Sequence, residues 1–158
     1  MTETLIVTST VDAPAGAVFT VLADPNTHKD IDGTGWLREA LDGEPLTDVG
    51  QIFRIAMYHD NHPDKHYEMA NKVIAFEPDR VIAWEPGSEA EDGSLEFGGW
   101  TWRYDLRPAG DDRTEVTLTY DWSNVPAETR EHIPFPPFPV SHLENSLANL
   151  AELAVVRT

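Results

Sequence analysis

Residues 100–122 read WTWRYDLRPAGDDRTEVTLTYDW, and the spacing of their large side chains decides the fold class. Trp100, Trp102, Tyr104 and Leu106 occupy every second position, with Thr101, Arg103 and Asp105 between them. Val116, Leu118, Tyr120 and Trp122 repeat the pattern against Glu115, Thr117, Thr119 and Asp121. Successive side chains on a strand point to opposite faces, so a period of two marks a strand with one apolar side. Ala109-Gly110-Asp111-Asp112 is a turn sequence. The stretch predicts an antiparallel hairpin, Gly98–Leu106 and Glu115–Trp122, with its rings on one face.

The same period extends upstream. Thr4–Val11, Trp36–Leu41, Gln51–His59, His66–Phe76 and Val81–Trp84 read as five more strands. Gly43-Glu44-Pro45, Asn61-His62-Pro63-Asp64 and Glu77-Pro78-Asp79 supply short turns, which imply antiparallel neighbours. Two helical signals interrupt the series after the first strand. Asp12-Ala13-Pro14 predicts a helix to about Ala23, with Val18, Val21 and Leu22 on one side, and Asp24-Pro25 a second, short one to about Asp30. Downstream, Leu143, Leu147, Leu150 and Ala154 recur at helical spacing within a helix over about 140–156. The fold class is therefore α+β: a curved antiparallel sheet of seven strands, two short helices after strand one, and one long C-terminal helix. That helix is the one large element available to cover the apolar face of the sheet.

Alternation assigns the inward set. Phe53, Ile55, Met57 and His59 share a face, opposed by Arg54 and Tyr58. Tyr67, Met69, Asn71 and Val73 oppose Glu68, Ala70 and Lys72, and Ile82 goes with Trp84. With Trp100, Trp102, Tyr104 and Tyr120 added, the inward face is strongly aromatic. Each ring alone reads as core packing. Together, large rings on a curved sheet fill space coarsely and line a hollow with a few polar tips.

The bulk numbers close off other classes. The chain has 158 residues, the size of one domain spanning 1–158, able to bury roughly 68–70% of its unfolded surface. Asp and Glu outnumber Lys and Arg 28 to 11, a formal charge of -17. Nucleic acid and anionic membrane surfaces are bound through cations, so neither partner is expected. There is no cysteine, hence no disulfide, thiolate metal site or cysteine nucleophile. The first residues lack a basic region followed by an apolar core, and no apolar run approaches the roughly 20 residues of a membrane span. The expected location is the cytoplasm, as a monomer or homodimer.

Three stretches resemble one family. VDAPAGAVFTVLADP (11–25), VIAFEPDRVIAWEP (73–86) and the hairpin of 100–122 are similar to the opening, middle and late strands of the START-like, polyketide-cyclase (SRPBCC) superfamily, also called the helix-grip fold. The similarity runs over nearly the whole chain and agrees with the element order above. These motifs are structural, so they speak to fold before activity. The resemblance implies a deep apolar cavity between the sheet and the terminal helix. It also implies functions ranging from polyketide cyclases, aromatases and dehydratases, including actinobacterial ones, to lipid and hormone carriers and chaperone activators.

The candidate ligand-binding residues are Phe53, Ile55, Met57, Tyr67, Met69 and Asn71 on the middle strands, and Trp84, Trp100, Trp102, Tyr104 and Tyr120 on the later ones. Leu143, Ser146, Leu147 and Leu150 face them from the helix, with His142 on the same edge and Asn149 further round. Weak candidates for proton transfer or carbonyl polarisation are His59, Asn71, Tyr104 and His142. Asn71 must either bond backbone or water, or meet a ligand carbonyl. Family cyclases, as the resemblance implies, often carry a cavity arginine. Here alternation turns Arg54 and Arg103 outward unless a β-bulge intervenes.

YHDNHPDKHYEM (58–69) holds three histidines, yet His62 lies in a turn and His59 and His66 lie on opposite strands. A zinc site needs its ligands to converge within about 2.1 Å of the ion. The stretch reads as a polar hairpin tip near the cavity mouth, with His59 reaching inward as the alternative. No metal or cofactor is expected. EPGSEAEDGSLE (85–96) reads as a solvated loop without the ligand order of an EF-hand, and IPFPPFPV (133–140) as a segment closing one end of the cavity. Three functions follow: a carrier of a hydrophobic, aromatic or polyketide- or lipid-like molecule; a cyclase, aromatase or dehydratase using the same cavity; and a co-chaperone-like interaction module.

Overall fold

A computed structural model describes residues 3–31, 37–40, 45–58, 66–89, 92, 94–110, 112–132 and 140–156. Among them the order is β1 (Thr4–Val11), α1 (Ala15–Leu22), a 3-10 turn (Pro25–Thr27), α2 (His28–Ile31), β2 (Leu37–Ala40), β3 (Ile52–Tyr58), β4 (His66–Glu77), β5 (Val81–Glu89), β6 (Leu95–Phe97), β7 (Thr101–Pro108), β8 (Thr114–Asp121), α3 (Ala127–His132) and α4 (Val140–Val156). The main sheet runs β1-β8-β7-β5-β4-β3-β2, seven antiparallel strands in all, with β6 paired to β5 beside that path. This is the α+β helix-grip architecture.

The hairpin that decided the fold forms in the expected register. Trp102 faces Tyr120, Tyr104 faces Leu118 and Leu106 faces Val116. Trp84 and Ile82 extend two of these rows into β5, and Leu5 and Val7 extend them into β1. The outer face is polar. Arg103 pairs with Asp105 at 3.0 Å, and the hydroxyls of Thr8 and Thr117 meet at 3.1 Å.

Several expectations need correction. The acidic stretch 85–96 is not all loop: β5 continues through Glu89, and Leu95–Phe97 adds a strand. Gly87 permits this, because a Cβ there would stand 2.7 Å from the Phe97 ring. Asp12 does not cap α1. The cap position is Pro14, without a side-chain bond, and Asp12 instead pairs with Arg113 at 3.1 Å. Asp24 does cap the turn that follows, accepting from the Asn26 N–H at 3.0 Å. The short α3 was not foreseen; the Arg130 guanidinium within it donates to the carbonyls of Trp122 (2.7 Å) and Val125 (3.1 Å) and reaches Glu3 at 3.2 Å. The segment 133–139 and residues 59–65 lie outside the described residues, as do the ends of the expected strands at Trp36, Leu41 and His59.

A register shift between Val73 and Ala75 sets the line of β4. Val73 lies opposite Trp84 and Phe76 opposite Ile82, so odd positions face inward before the shift and even ones after it. Ile74 is left 41% exposed, while Phe76 turns in to meet Phe19 edge-on at 5.2 Å. The bulge thus falls at neither arginine.

α4 buries Leu143, Leu147, Leu150 and Ala154 completely or nearly so, as its spacing predicts. It packs on α1, α2, β1 and β8. The Asn149 carboxamide donates to the Ile31 carbonyl at 3.1 Å, fastening the helix to the end of α2.

Leu147→Ala removes packing that the surrounding helices and sheet cannot collapse to replace, so unfolding free energy should fall by about 2–5 kcal/mol in denaturant titration. Gly99 combines a φ of +98° with a site where a Cβ would meet the Asn124 carbonyl oxygen at 2.4 Å. Gly99→Ala should therefore cost at least about 1–3 kcal/mol in the same assay.

Candidate functional site

The inward rows of β3, β4, β5, β7 and β8 place their rings side by side, and two sets of contacts can be traced among the described residues. In the first, Trp84 stacks on Tyr104 with centroids 5.9 Å apart and meets Phe53 edge-on at 5.8 Å. In the second, Trp102 lies 4.5 Å from Tyr120, Tyr120 lies 5.7 Å from Trp122, and His142 meets Trp102 edge-on at 5.7 Å. Such pairs add about 0.5–1.5 kcal/mol each beyond area burial, and they hold the rings in set orientations.

The first group contains a residue the sequence did not single out. His28 begins α2, is 4% exposed, stacks on Trp84 at 4.9 Å and 25°, and meets Phe53 edge-on at 5.4 Å. Its Nε2 lies 2.8 Å from the Leu22 carbonyl oxygen. A carbonyl only accepts, so Nε2 carries the proton, and Nδ1 of the neutral ring is left with a lone pair. Burial pushes the imidazole below its ordinary pKa; the Leu22 carbonyl and the charge of Asp24 oppose that shift and are outweighed. After Pro25 the run NTHKD is polar, which hid the residue; the available signal was the i, i+3 spacing of Pro25, His28 and Ile31, all three buried.

The other expected site residues divide cleanly. Phe53, Ile55, Asn71, Tyr104, Tyr120, Leu143, Ser146, Leu147, Leu150 and His142 are buried. Met57, Met69, Trp84, Trp100 and Trp102 are only half-buried, although all but Trp100 sit on inward rows of the sheet. The Trp100 ring folds back over Gly98, where a Cβ would come within 1.9 Å of it. Asn71 donates to the Phe53 carbonyl at 3.4 Å, a long bond at the limit of hydrogen-bonding distance. Tyr67 pairs in register with Met57; its side chain, and all of His59, lie outside the described residues. Arg103 is exposed on the outer face, as alternation required.

The electrostatics of the interior are simple. Among the described residues the buried polar side chains are Thr27, His28, Asn71, Thr114, His142 and Ser146, with no carboxylate, lysine or arginine. Thr27 and Thr114 give their hydroxyl protons to backbone carbonyls, Thr27 to Val21 at 2.6 Å and Thr114 to Ala13 at 2.8 Å. Burial raises the Tyr120 phenol well above its ordinary value, so it stays protonated. The described residues can hold rings and exchange neutral hydrogen bonds, and among them nothing buried would balance a charge.

No family model matches the sequence. Over 112 residues, 71% of the chain, it is 28% identical to an uncharacterised protein of Mycobacterium tuberculosis strain H37Rv, and 27% identical to its counterpart in strain CDC 1551. The matched region spans 44% of those relatives, so the chain covers less than half of their length. Among solved structures, norcoclaurine synthase from Thalictrum flavum superposes with a TM-score of 0.66 at 16% identity, covering all of this chain and 96% of that one. The same enzyme in complex with dopamine and hydroxybenzaldehyde gives 0.65 at 16% identity, over 100% of this chain and 89% of that one. A protein from Nitrosomonas europaea gives 0.67 at 15% identity, over 98% and 95%. At these identities the likeness is one of fold, and that fold is a ligand-binding one in the synthase.

The His28 shift has a sign that can be checked. The unfolded chain takes up a proton near pH 6.5, whereas the folded ring resists it until lower pH, so the fold loses stability as pH falls through that window. From about pH 7.5 to about pH 5, the thermal midpoint of the wild type should fall more steeply than that of His28→Phe.

Proposed function

We propose that this chain is a single-domain, cytoplasmic small-molecule-binding protein whose interior, between the sheet and α4, holds a hydrophobic aromatic or polyketide-like ligand. The observation that carries this reading is the incomplete burial of Trp84, Trp102, Met57 and Met69 on the inward rows of the sheet. A closed core would bury them as it buries Leu118 and Val116. α4 packs toward β1 and β8, and these residues belong to the strands beyond. Large rings with accessible edges and few polar tips are the usual lining of a small-molecule site.

The fold neighbour bound to dopamine and hydroxybenzaldehyde supports an aromatic ligand. A cyclase, aromatase or dehydratase acting in the same place is the alternative. It would draw on Asn71, Tyr104 and His142, and the salt bridge that holds Arg103 to Asp105 on the outer face lends it no polarising cation. The surface charge of -17 disfavours nucleic acid and anionic membranes as partners. Among the described residues, no helix is long and apolar enough to cross a membrane.

Titration with a neutral hydrophobic dye should quench tryptophan fluorescence saturably, and Trp84→Leu should remove a large share of that change. Absence of saturable quenching across a panel of apolar aromatic compounds would sink the reading.

A further inference from the structure

We propose that His28 is the polar anchor of the interior site, and that its ligand is a neutral aromatic molecule presenting a hydroxyl donor to Nδ1. The inference rests on the binding reading above and adds the ligand's chemistry to it.

Three contacts hold the imidazole. The Leu22 carbonyl takes the Nε2 proton, Trp84 covers one ring face and Phe53 meets it edge-on. With Nε2 committed, the ring's remaining capacity is a single acceptor, and its natural complement is an O–H or N–H donor. The surroundings narrow the donor further. The imidazole sits in an aromatic row, stacked on Trp84 which in turn stacks on Tyr104, and a ligand ring suits such surroundings. A carboxylate or phosphate would need a buried cation, which the described interior does not offer, and the Asp24 carboxylate whose charge reaches His28 is part-exposed and accepts from the Asn26 N–H and side-chain amide, which disfavours a buried ammonium. A phenol satisfies every condition: flat, neutral at physiological pH, and a good hydrogen-bond donor.

The test uses the full chain with 2-naphthol, 2-methoxynaphthalene and 2-naphthoate as probes, followed by calorimetry. The wild type should bind the naphthol at least about tenfold more tightly than its methyl ether, the worth of one buried hydrogen bond, and bind the naphthoate most weakly. His28→Phe keeps a ring against Trp84 but no Nδ1, so it should bind both neutral probes within about threefold of each other. Nitrogen NMR of labelled histidine supplies a readout that needs no variant. The Nδ1 resonance of His28 should move on adding the naphthol and stay in place with the ether. Equal affinity for naphthol and ether in the wild type, preference for the naphthoate, discrimination that survives in His28→Phe, or an unmoved Nδ1 resonance would each overturn the anchor while leaving the binding site intact. Failure of all three probes to bind would overturn both together.

Discussion

A twisted antiparallel sheet of seven strands has one large apolar face to remove from water, and every other feature of this protein answers to that need. Covering it takes a long element with a continuous apolar stripe, and α4 supplies one through Leu143, Leu147, Leu150 and Ala154. The helix meets β1 and β8 together with α1 and α2, and Val116, Leu118 and Tyr120 of β8 are buried there. On the strands beyond, Phe53, Ile55, Val73 and Ile82 are buried while Met57, Met69 and Trp84 are only partly so. The hydrophobic effect scales with area and does not ask for shape, whereas rings held edge-on and stacked do set a shape. Fully buried aliphatic side chains and partly exposed rings are joined in one core.

Charge is partitioned just as sharply. The excess of 28 acidic over 11 basic residues sits outside a described interior that contains no buried carboxylate or cation. What polarity the interior keeps is neutral, and most of it is tied down locally: Thr27 and Thr114 to carbonyls, Asn71 to the strand beside it, His28 to Leu22. Leaving such groups unsatisfied would cost about 1–3 kcal/mol apiece. These bonds therefore steady the rings around them as well as satisfying themselves, and the imidazole is held in one tautomer by the backbone of the preceding helix.

Much of this was legible in the sequence, because period-two alternation and helical spacing report faces directly. The hairpin of 101–121, the inward assignment of Phe53, Ile55, Asn71, Trp84, Tyr104 and Tyr120, the outward turn of Arg103 and the span of α4 all came from side-chain rhythm. What escaped lacks rhythm. The shift at Ile74 inserts one residue into an otherwise regular strand, and Phe76 reaches the interior because of it. Pairing of β6 with β5 depends on the missing side chain at Gly87 and on the Phe97 ring above it, a contact between residues ten apart. His28 escaped because a single buried histidine among polar neighbours shows no pattern of its own; its burial is decided by Trp84 and Phe53, which arrive from distant strands. Tertiary contacts of this kind are written in the fold and only faintly in the local string.

Among the described residues the strand order leaves β1 at one rim of the sheet, and that position has a colloidal consequence. From Thr4 to Val11 the strand carries no charge and no proline, and Ile6 is 60% exposed, so its outer N–H and C=O groups form a ready template for another extended chain. Mutual repulsion between highly anionic molecules is then the main guard against rim-to-rim pairing. Near the isoelectric point of about 4.4 that guard vanishes. Acidified solutions should scatter light strongly there, and a lysine at Ile6 should keep them clear.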